Sequence, residues 1–355
     1  MREREIVFCV RKNFLEEPGG DTDQALTWKA VLEKLGNRVT LLFGSVTEKD
    51  LQRAECVFLW HLERPHESYQ QFLTAKRTGK SIVLVPTCWH GSGKLAFGKI
   101  LRAQLAQWAR AVLRFRDPSC RLMLNHLWAG ARRDMLKTST LLLVNSRSEA
   151  ELMIAGGADP GKVLCIPNVI RPADFRSLER KPWEERSTIL CIGHFCPRKN
   201  QLALIEALEK TDLTVTFVGT ARPMHRAYFR YCRRKAGNRH RFLGRLPHAE
   251  VLKLLAEAKL CISVSRSETP GIGNLEAGYL GSSLLLPALP PVEEYFQSLA
   301  TYFDPDKIDP ERILEAAGKA PSPELRERIE KNFTDQAVEK FFDLLDLPTP
   351  AGKNP

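Results

Sequence analysis

Short aliphatic and β-branched runs, each followed by a longer amphipathic stretch, recur along this chain in two series, and that recurrence limits what it can fold into. In the first series the runs fall at 6–10, 38–43, 56–60, 82–86, 141–144 and 163–166, with helical patterns at 22–35, 67–78, 95–115 and 148–155 between them. Gly36 stands where the first helix should stop. The alternation predicts a parallel sheet crossed by helices. It lapses over 168–185 into Pro-, Arg- and Glu-rich sequence and then resumes, with runs at 188–192, 214–218, 261–264 and 284–287. The expected fold is therefore α/β, with two Rossmann-like domains facing each other across a cleft, 1–170 and 171–320, and the lapse as linker. A helical pattern over 322–345 has no strand after it. That last segment, 321–355, is expected to pack back on the first domain and to end in a frayed tail. At 355 residues the chain can bury two cores of ordinary size.

Composition removes several alternatives. With 43% hydrophobic and 27% charged residues and no low-complexity block, the chain reads as folded between its ends. No apolar run approaches about 18 residues, and the charged start leads into an apolar segment too short for a signal peptide, which predicts a cytoplasmic protein. The nine cysteines are scattered, odd in number and without a C-x-x-C pair, so they are expected to be reduced core residues. A net charge of +11 asks for partners that accept positive charge: nucleotides, phospholipid surfaces or nucleic acid. Between Lys94 and Arg147 there are eleven basic residues and two acidic ones.

In sheets of this kind ligands bind beyond the carboxyl ends of the strands, so function is sought in the strand-to-helix loops. The loop after 188–192 reads Gly193-His194-Phe195-Cys196-Pro197-Arg198-Lys199-Asn200-Gln201 and opens a helix. Two adjacent cations at a helix N-terminus suit a diphosphate, although an Arg-Lys pair in a loop is more often a solvated feature. The loop after 261–264 is more specific. It runs from Ser265 through Glu268, Thr269, Pro270, Gly271, Ile272, Gly273, Asn274 and Leu275 to Glu276. Glycines let backbone N–H groups approach a phosphate, and carboxylates, which a phosphate would repel, must face neutral hydroxyls of sugar and ribose.

This second loop resembles the E-x7-E motif of glycosyltransferase family 4 and its retaining GT-B relatives, with Glu268 and Glu276 at the glutamate positions. The resemblance extends to Val144-Asn145-Ser146-Arg147-Ser148, to Ile166-Pro167-Asn168, to Gly244-Arg245-Leu246-Pro247 and to Pro18-Gly19-Gly20-Asp21-Thr22. It implies a GT-B fold, an acceptor-binding first domain and a donor-binding second one. It also implies that Glu268 binds hydroxyls of the transferred sugar, Glu276 binds ribose, and Gly271, Ile272, Gly273, Asn274 and Leu275 meet the phosphates. Arg198 and Lys199 would stabilise the leaving diphosphate, and Gly19, Gly20, Gly193 and Leu246 would line the donor. The activity implied is metal-independent, retaining transfer of a hexose-type sugar from a UDP- or GDP-linked donor to a glycan, lipid-linked or small-molecule acceptor, with no cofactor.

The chain departs from the family pattern in two places. His194 stands where many members have Arg, and the first-domain histidine near the reacting carbon has two candidates, His90 and, less well placed, His61. Asp304-Pro305-Asp306 matches a D-x-D metal motif but reads better as a turn before a helix. The pattern at 95–115 has apolar residues three and four apart and basic residues elsewhere, so 95–116 is expected either to cover the sheet or to touch anionic membrane on its inner face. Two other readings compete: a GT-B enzyme that is not a transferase, such as a sugar-nucleotide epimerase, and a basic nucleic-acid-binding protein. No helix-turn-helix, zinc or RNA-binding signature supports the last, so no nucleic acid is expected.

Overall fold

A computed structural model describes residues 3–88, 90–91, 129–175, 177–345 and 347. The pattern expected over 95–116, with its membrane contact, lies outside these residues, as does Cys120. The chain forms two compact units. One comprises 1–88, 93–166 and 339–355, the other 89–92 and 167–338.

The first unit is built on a six-stranded sheet of β1 (Glu5–Val10), β2 (Arg38–Phe43), β3 (Cys56–Trp60), β4 (Ser81–Val85), β6 (Leu141–Val144) and β7 (Val163–Cys165). Its order is β2-β1-β3-β4-β6-β7, and every pair is parallel. Strands β1, β3, β4 and β6 are buried along most or all of their length because helices cover both faces. Side chains alternate between the faces. Val7, Cys9, Val57, Leu59, Leu84 and Leu142 share one cluster with Phe72 of α2 (Pro65–Arg77), Met135 of α3 (Ala129–Thr138) and Met153 of α4 (Arg147–Ala155). Phe58 and Trp60 turn the other way, where Trp28 of α1 (Gly20–Lys34) lies 5.1 Å from Trp60 and Phe342 lies 5.5 Å from Trp28.

The second unit repeats the plan with β8 (Thr188–Ile192), β9 (Val215–Val218), β10 (Arg241–Phe242), β11 (Ala258–Ile262), β13 (Ser283–Pro287) and β14 (Thr301–Phe303) in the order β10-β9-β8-β11-β13-β14, all parallel. One face is closed by α7 (His248–Ala256), α8 (Ile272–Tyr279) and α11 (Pro323–Asn332). The other is closed by α5 (Gln201–Leu208), α6 (Arg226–Ala236) and α10 (Pro310–Gly318). Gly278 allows α8 to lie against α11, since a methyl group there would meet Ile329 at 2.8 Å. Strands β8, β9 and β10 are each followed by a glycine at positive φ: Gly193 at 144°, Gly219 at 135° and Gly244 at 73°. The backbone packs so closely there that a Cβ on Gly219 would stand 2.1 Å from the Gly193 carbonyl oxygen.

Three expectations are corrected. Residues 168–185 are not a free linker. Phe175 is buried 5.2 Å from Tyr279, and the Trp183 indole donates to the Lys259 carbonyl at 2.9 Å, so the stretch is tied to the second unit. The pattern at 322–345 is two helices, α11 and α12 (Asp335–Leu344), because Thr334 leaves the helix to bridge Ile170 while Phe333 stacks on Tyr295 at 4.4 Å. The strand expected at 261–264 starts earlier, at Ala258, where Glu257 ends the preceding helix. Strands β10 and β14, of two and three residues, were not among the expected runs. Most cysteines are buried as expected, and burial pushes the Cys56 and Cys191 thiols up to about 12, but Cys165 is exposed at the end of edge strand β7.

Candidate functional site

In the second unit the loops after β8 and β11 come together. After Gly193, Phe195 is buried 1% exposed and anchors the first loop, which makes a short 3-10 turn over Pro197–Lys199. Asn200 then takes the left-handed conformation at φ 57° before α5 begins. The cations therefore sit on the turn just before the helix, in the loop that opens it. Asn200 Nδ2 donates to the Pro305 carbonyl at 3.2 Å, which fixes that turn.

The two cations converge on Glu268. Lys199 Nζ donates to Glu268 Oε2, Ser265 Oγ donates to the same oxygen at 2.9 Å, and Arg198 Nη1 lies 3.9 Å from Oε1. Arg198 also donates to the Ser267 carbonyl at 2.6 Å, while the Arg266 N–H donates to the Arg198 carbonyl at 2.9 Å, so the loops are stitched together. Glu268 is only 6% exposed. Burial alone would push its carboxyl up, but Lys199 first and Arg198 next more than offset it and hold the group below its ordinary range. A buried carboxylate kept ionised by neighbouring cations is suited to accept hydroxyl hydrogen bonds.

From Glu268 the chain enters the glycine turn. Gly271 has φ 82°, and a Cβ there would meet Asn274 Nδ2 at 2.8 Å, so only glycine fits while Asn274 Nδ2 donates to the Pro270 carbonyl. Ile272 and Gly273 begin α8, whose buried residues include Asn274, Leu275 and Glu276. The Glu276 carboxylate accepts from His248 Nε2 at 2.7 Å. That bond puts the His248 proton on Nε2 whenever the imidazole is neutral. Leu246 packs against the core two positions before His248, so the chain turns into α7 close to Glu276.

The remaining candidates are placed as follows. Gly19 caps α1 and Gly20 is its first residue, both in the first unit. There His61 is buried, with Nε2 3.0 Å from Asp21 Oδ2 and Nδ1 2.8 Å from Thr87 Oγ1. Burial pushes the Asp21 carboxyl up, yet His61 and Arg11, which donates to it at 2.8 Å, hold it well below the carboxylate range. His90 lies in β5 (His90–Gly91), whose backbone pairs antiparallel with β12 (Ser267–Glu268), His90 opposite Glu268. For His194, partial desolvation and then the Arg222 charge lower the pKa, which disfavours a charged imidazole in place of the family arginine. Asp304 and Asp306 form a turn in which the Asp306 N–H donates to Asp304 Oδ1 at 2.9 Å. Among the described residues no group of three or more His, Cys, Asp or Glu is placed to hold a metal. Ser265 and His248 were not identified from sequence. Ser265 lies in the loop three residues past β11 with no spacing cue, and His248 meets Glu276 across 28 positions.

Residues 175–336, from the buried Phe175 to the end of α11 and just beyond, match the family described as glycosyl transferases group 1. The second unit is a glycosyl transferases group 1 domain. The chain is 26% identical over 215 residues to a phosphatidylinositol N-acetylglucosaminyltransferase component of Arabidopsis thaliana, a match that covers 58% of this chain and 48% of that protein. The chain thus spans about half the length of that curated relative. Among solved structures it is similar to sucrose-phosphate synthase from Thermosynechococcus elongatus, with TM-score 0.74 at 13% identity over 96% of this chain and 98% of that one. It is also similar to HepE of Anabaena, solved with UDP and glucose, with TM-score 0.68 at 12% identity over the same shares. These likenesses show the fold, and both units of the chain have the sheet-and-helix plan of GT-B proteins.

Proposed function

We propose that the chain is a metal-independent, retaining glycosyltransferase that moves a hexose-type sugar from a UDP- or GDP-linked donor to a glycan, lipid-linked or small-molecule acceptor. One observation carries the reading: Glu268 is buried and ionised between Lys199, Arg198 and Ser265, immediately before the turn that leads to Glu276. Glu268 accepts from hydroxyls of the transferred sugar, and Glu276 accepts from the ribose. The amides of 271–275 and the two cations take the diphosphate. The cations carry an added task, because they also hold Glu268 in place.

The acceptor oxygen attacks the anomeric carbon on the face that the diphosphate leaves. The bond from that carbon to the phosphate oxygen breaks as the new glycosidic bond forms, and the acceptor proton passes to the leaving phosphate oxygen. The protein holds the two substrates together and stabilises the growing phosphate charge. The group 1 match over 175–336 supports transfer from an activated sugar. The UDP-glucose bound to HepE of Anabaena supports a uridine donor. The phosphatidylinositol in the name of the Arabidopsis relative supports a lipid-linked acceptor. A cytoplasmic location, at the inner face of a membrane, fits these substrates, and among the described residues no helix is long and apolar enough to cross one.

A thermal-shift screen of nucleotide sugars tests donor binding directly. A true donor held at about 100 times its dissociation constant adds about 2.7 kcal/mol of stability. Stabilisation by none of the UDP- or GDP-sugars contradicts the reading. Conversion of the nucleotide sugar to an isomer with no acceptor present points instead to an epimerase.

A further inference from the structure

The basic character read from the sequence at 94–147 has a counterpart in the second unit that the donor site does not use. From Arg222 to Arg245 the chain carries nine arginines and lysines and no carboxylate. Helix α6 turns Cys232 and Ala236 inward, and Arg226, Arg230, Arg233 and Arg234 are exposed at a spacing that runs along one helical face. Arg241 extends the face on edge strand β10. Lys235 is neutralised by Glu209 at 2.8 Å, while the four α6 arginines have no ion-pair partner among the described residues.

The arginines are also held in place. The Arg233 guanidinium lies 5.7 Å from the Phe242 ring centre, and that of Arg234 lies 5.2 Å from Tyr231. A guanidinium stacked on a ring keeps its N–H fork free for an anion. With Gly237, Asn238 and His240 the two arginines line a recess of about 440 Å³. The four arginines, gathered on one face without a carboxylate partner among the described residues, repel one another, and an anionic partner relieves that repulsion. Beside them Met224 is 59% exposed and Tyr231 43%. A nucleic-acid backbone offers an exposed methionine nothing, whereas the interfacial layer of a bilayer takes both an apolar side chain and an amphipathic ring.

We infer that this face of the second unit docks on an anionic lipid surface, with headgroup phosphates between Arg233 and Arg234 and with Met224 and Tyr231 entering the interfacial layer. The inference does not depend on the transferase reading, because none of these residues belongs to the donor loops.

The test uses the full chain and vesicles of phosphatidylcholine with or without about 30% phosphatidylglycerol, since each basic residue near an anionic surface adds to binding. The wild type sediments with the anionic vesicles only, and is released near 0.5 M salt, where charges are screened beyond about 4 Å. The double variant R230E/R234E partitions about tenfold or more weakly, with circular dichroism and nucleotide-sugar binding unchanged. R230Q/R234Q, which introduces no new charge, weakens partition less and serves if the reversed pair fails to fold. Met224→Ser weakens it without changing its salt dependence. The inference is overturned if the wild type does not sediment, or if both double variants sediment like the wild type, which would place lipid binding elsewhere. Tighter binding to duplex RNA or DNA than to vesicles at matched salt, lost in the same variants, would also overturn it.

Discussion

At Glu268 three neighbours decide the protonation state, and the same three decide what a substitution does. Its folded pKa lies below the ordinary value, so the ionised group stabilises the fold at neutral pH and that contribution fades as pH falls through the folded pKa. Lys199→Ala removes the strongest attraction on the carboxylate and, in the proposed mechanism, one donor to the leaving diphosphate. Turnover should fall by about 10² to 10³, in line with about 2.7–4 kcal/mol for one donor in a comparable oxyanion site, with a smaller change in donor binding, and steady-state kinetics with varied donor measure both. A proportional rise in the Michaelis constant with unchanged turnover would show that Lys199 only binds. His248 holds Glu276 from the side, at 2.7 Å. His248→Ala should raise the donor Michaelis constant with little change in turnover, and His248→Gln, which keeps a donor, should restore most of it. The same loss with a 2′-deoxyribose donor as with the ribose one would show that His248 does not act through the ribose hydroxyls. Glu268, Glu276 and Gly271 were legible because the motif fixes carboxylates and glycine at set spacing. Ser265 and His248 were not, because a contact between loops leaves no periodic trace in the chain.

The elements were legible wherever apolar runs were long enough to be covered on both faces, as in β3 and β4, whose ten residues are all buried. The two-residue strands β10 and β12 could not be read that way. One element carries a charge that the sequence did not flag. The N-terminus of α4 is capped by Ser146, and Glu149 reaches back to accept the Asn145 N–H at 2.7 Å and the Cys88 N–H at 2.6 Å. Burial outweighs these bonds and pushes the Glu149 carboxyl from its ordinary 4.5 up to about 7. The folded state therefore keeps a proton that the unfolded chain releases, and Glu149 costs stability as pH rises from about 4.5 to about 7. Urea unfolding of the wild type and of Glu149→Gln across that range should show the gap between them change by the order of 1–3 kcal/mol, the wild type losing ground as pH rises. Parallel stability curves would mean that the carboxyl is ionised throughout.

For the whole molecule, the repeat of one α/β plan in two units was readable from the two series of runs, and the group 1 match coincides with the second. The break between α11 and α12 was not readable, because the two form one continuous amphipathic pattern that the Ile170 bridge to Thr334 and the stack of Phe333 on Tyr295 divide. The account's central claim, sugar transfer with retention and without a metal, rests on the Glu268 cluster and not on the fold, since this fold serves many chemistries. It is tested most directly by proton NMR of the anomeric signals as the chain consumes an α-linked nucleotide sugar in the presence of EDTA and a panel of glycan and lipid-linked acceptors. The account predicts an α-linked product, formed at the same rate with and without the chelator and nearly abolished in Glu268→Gln. A β-linked product, or turnover that returns only when manganese or magnesium is added, would contradict it.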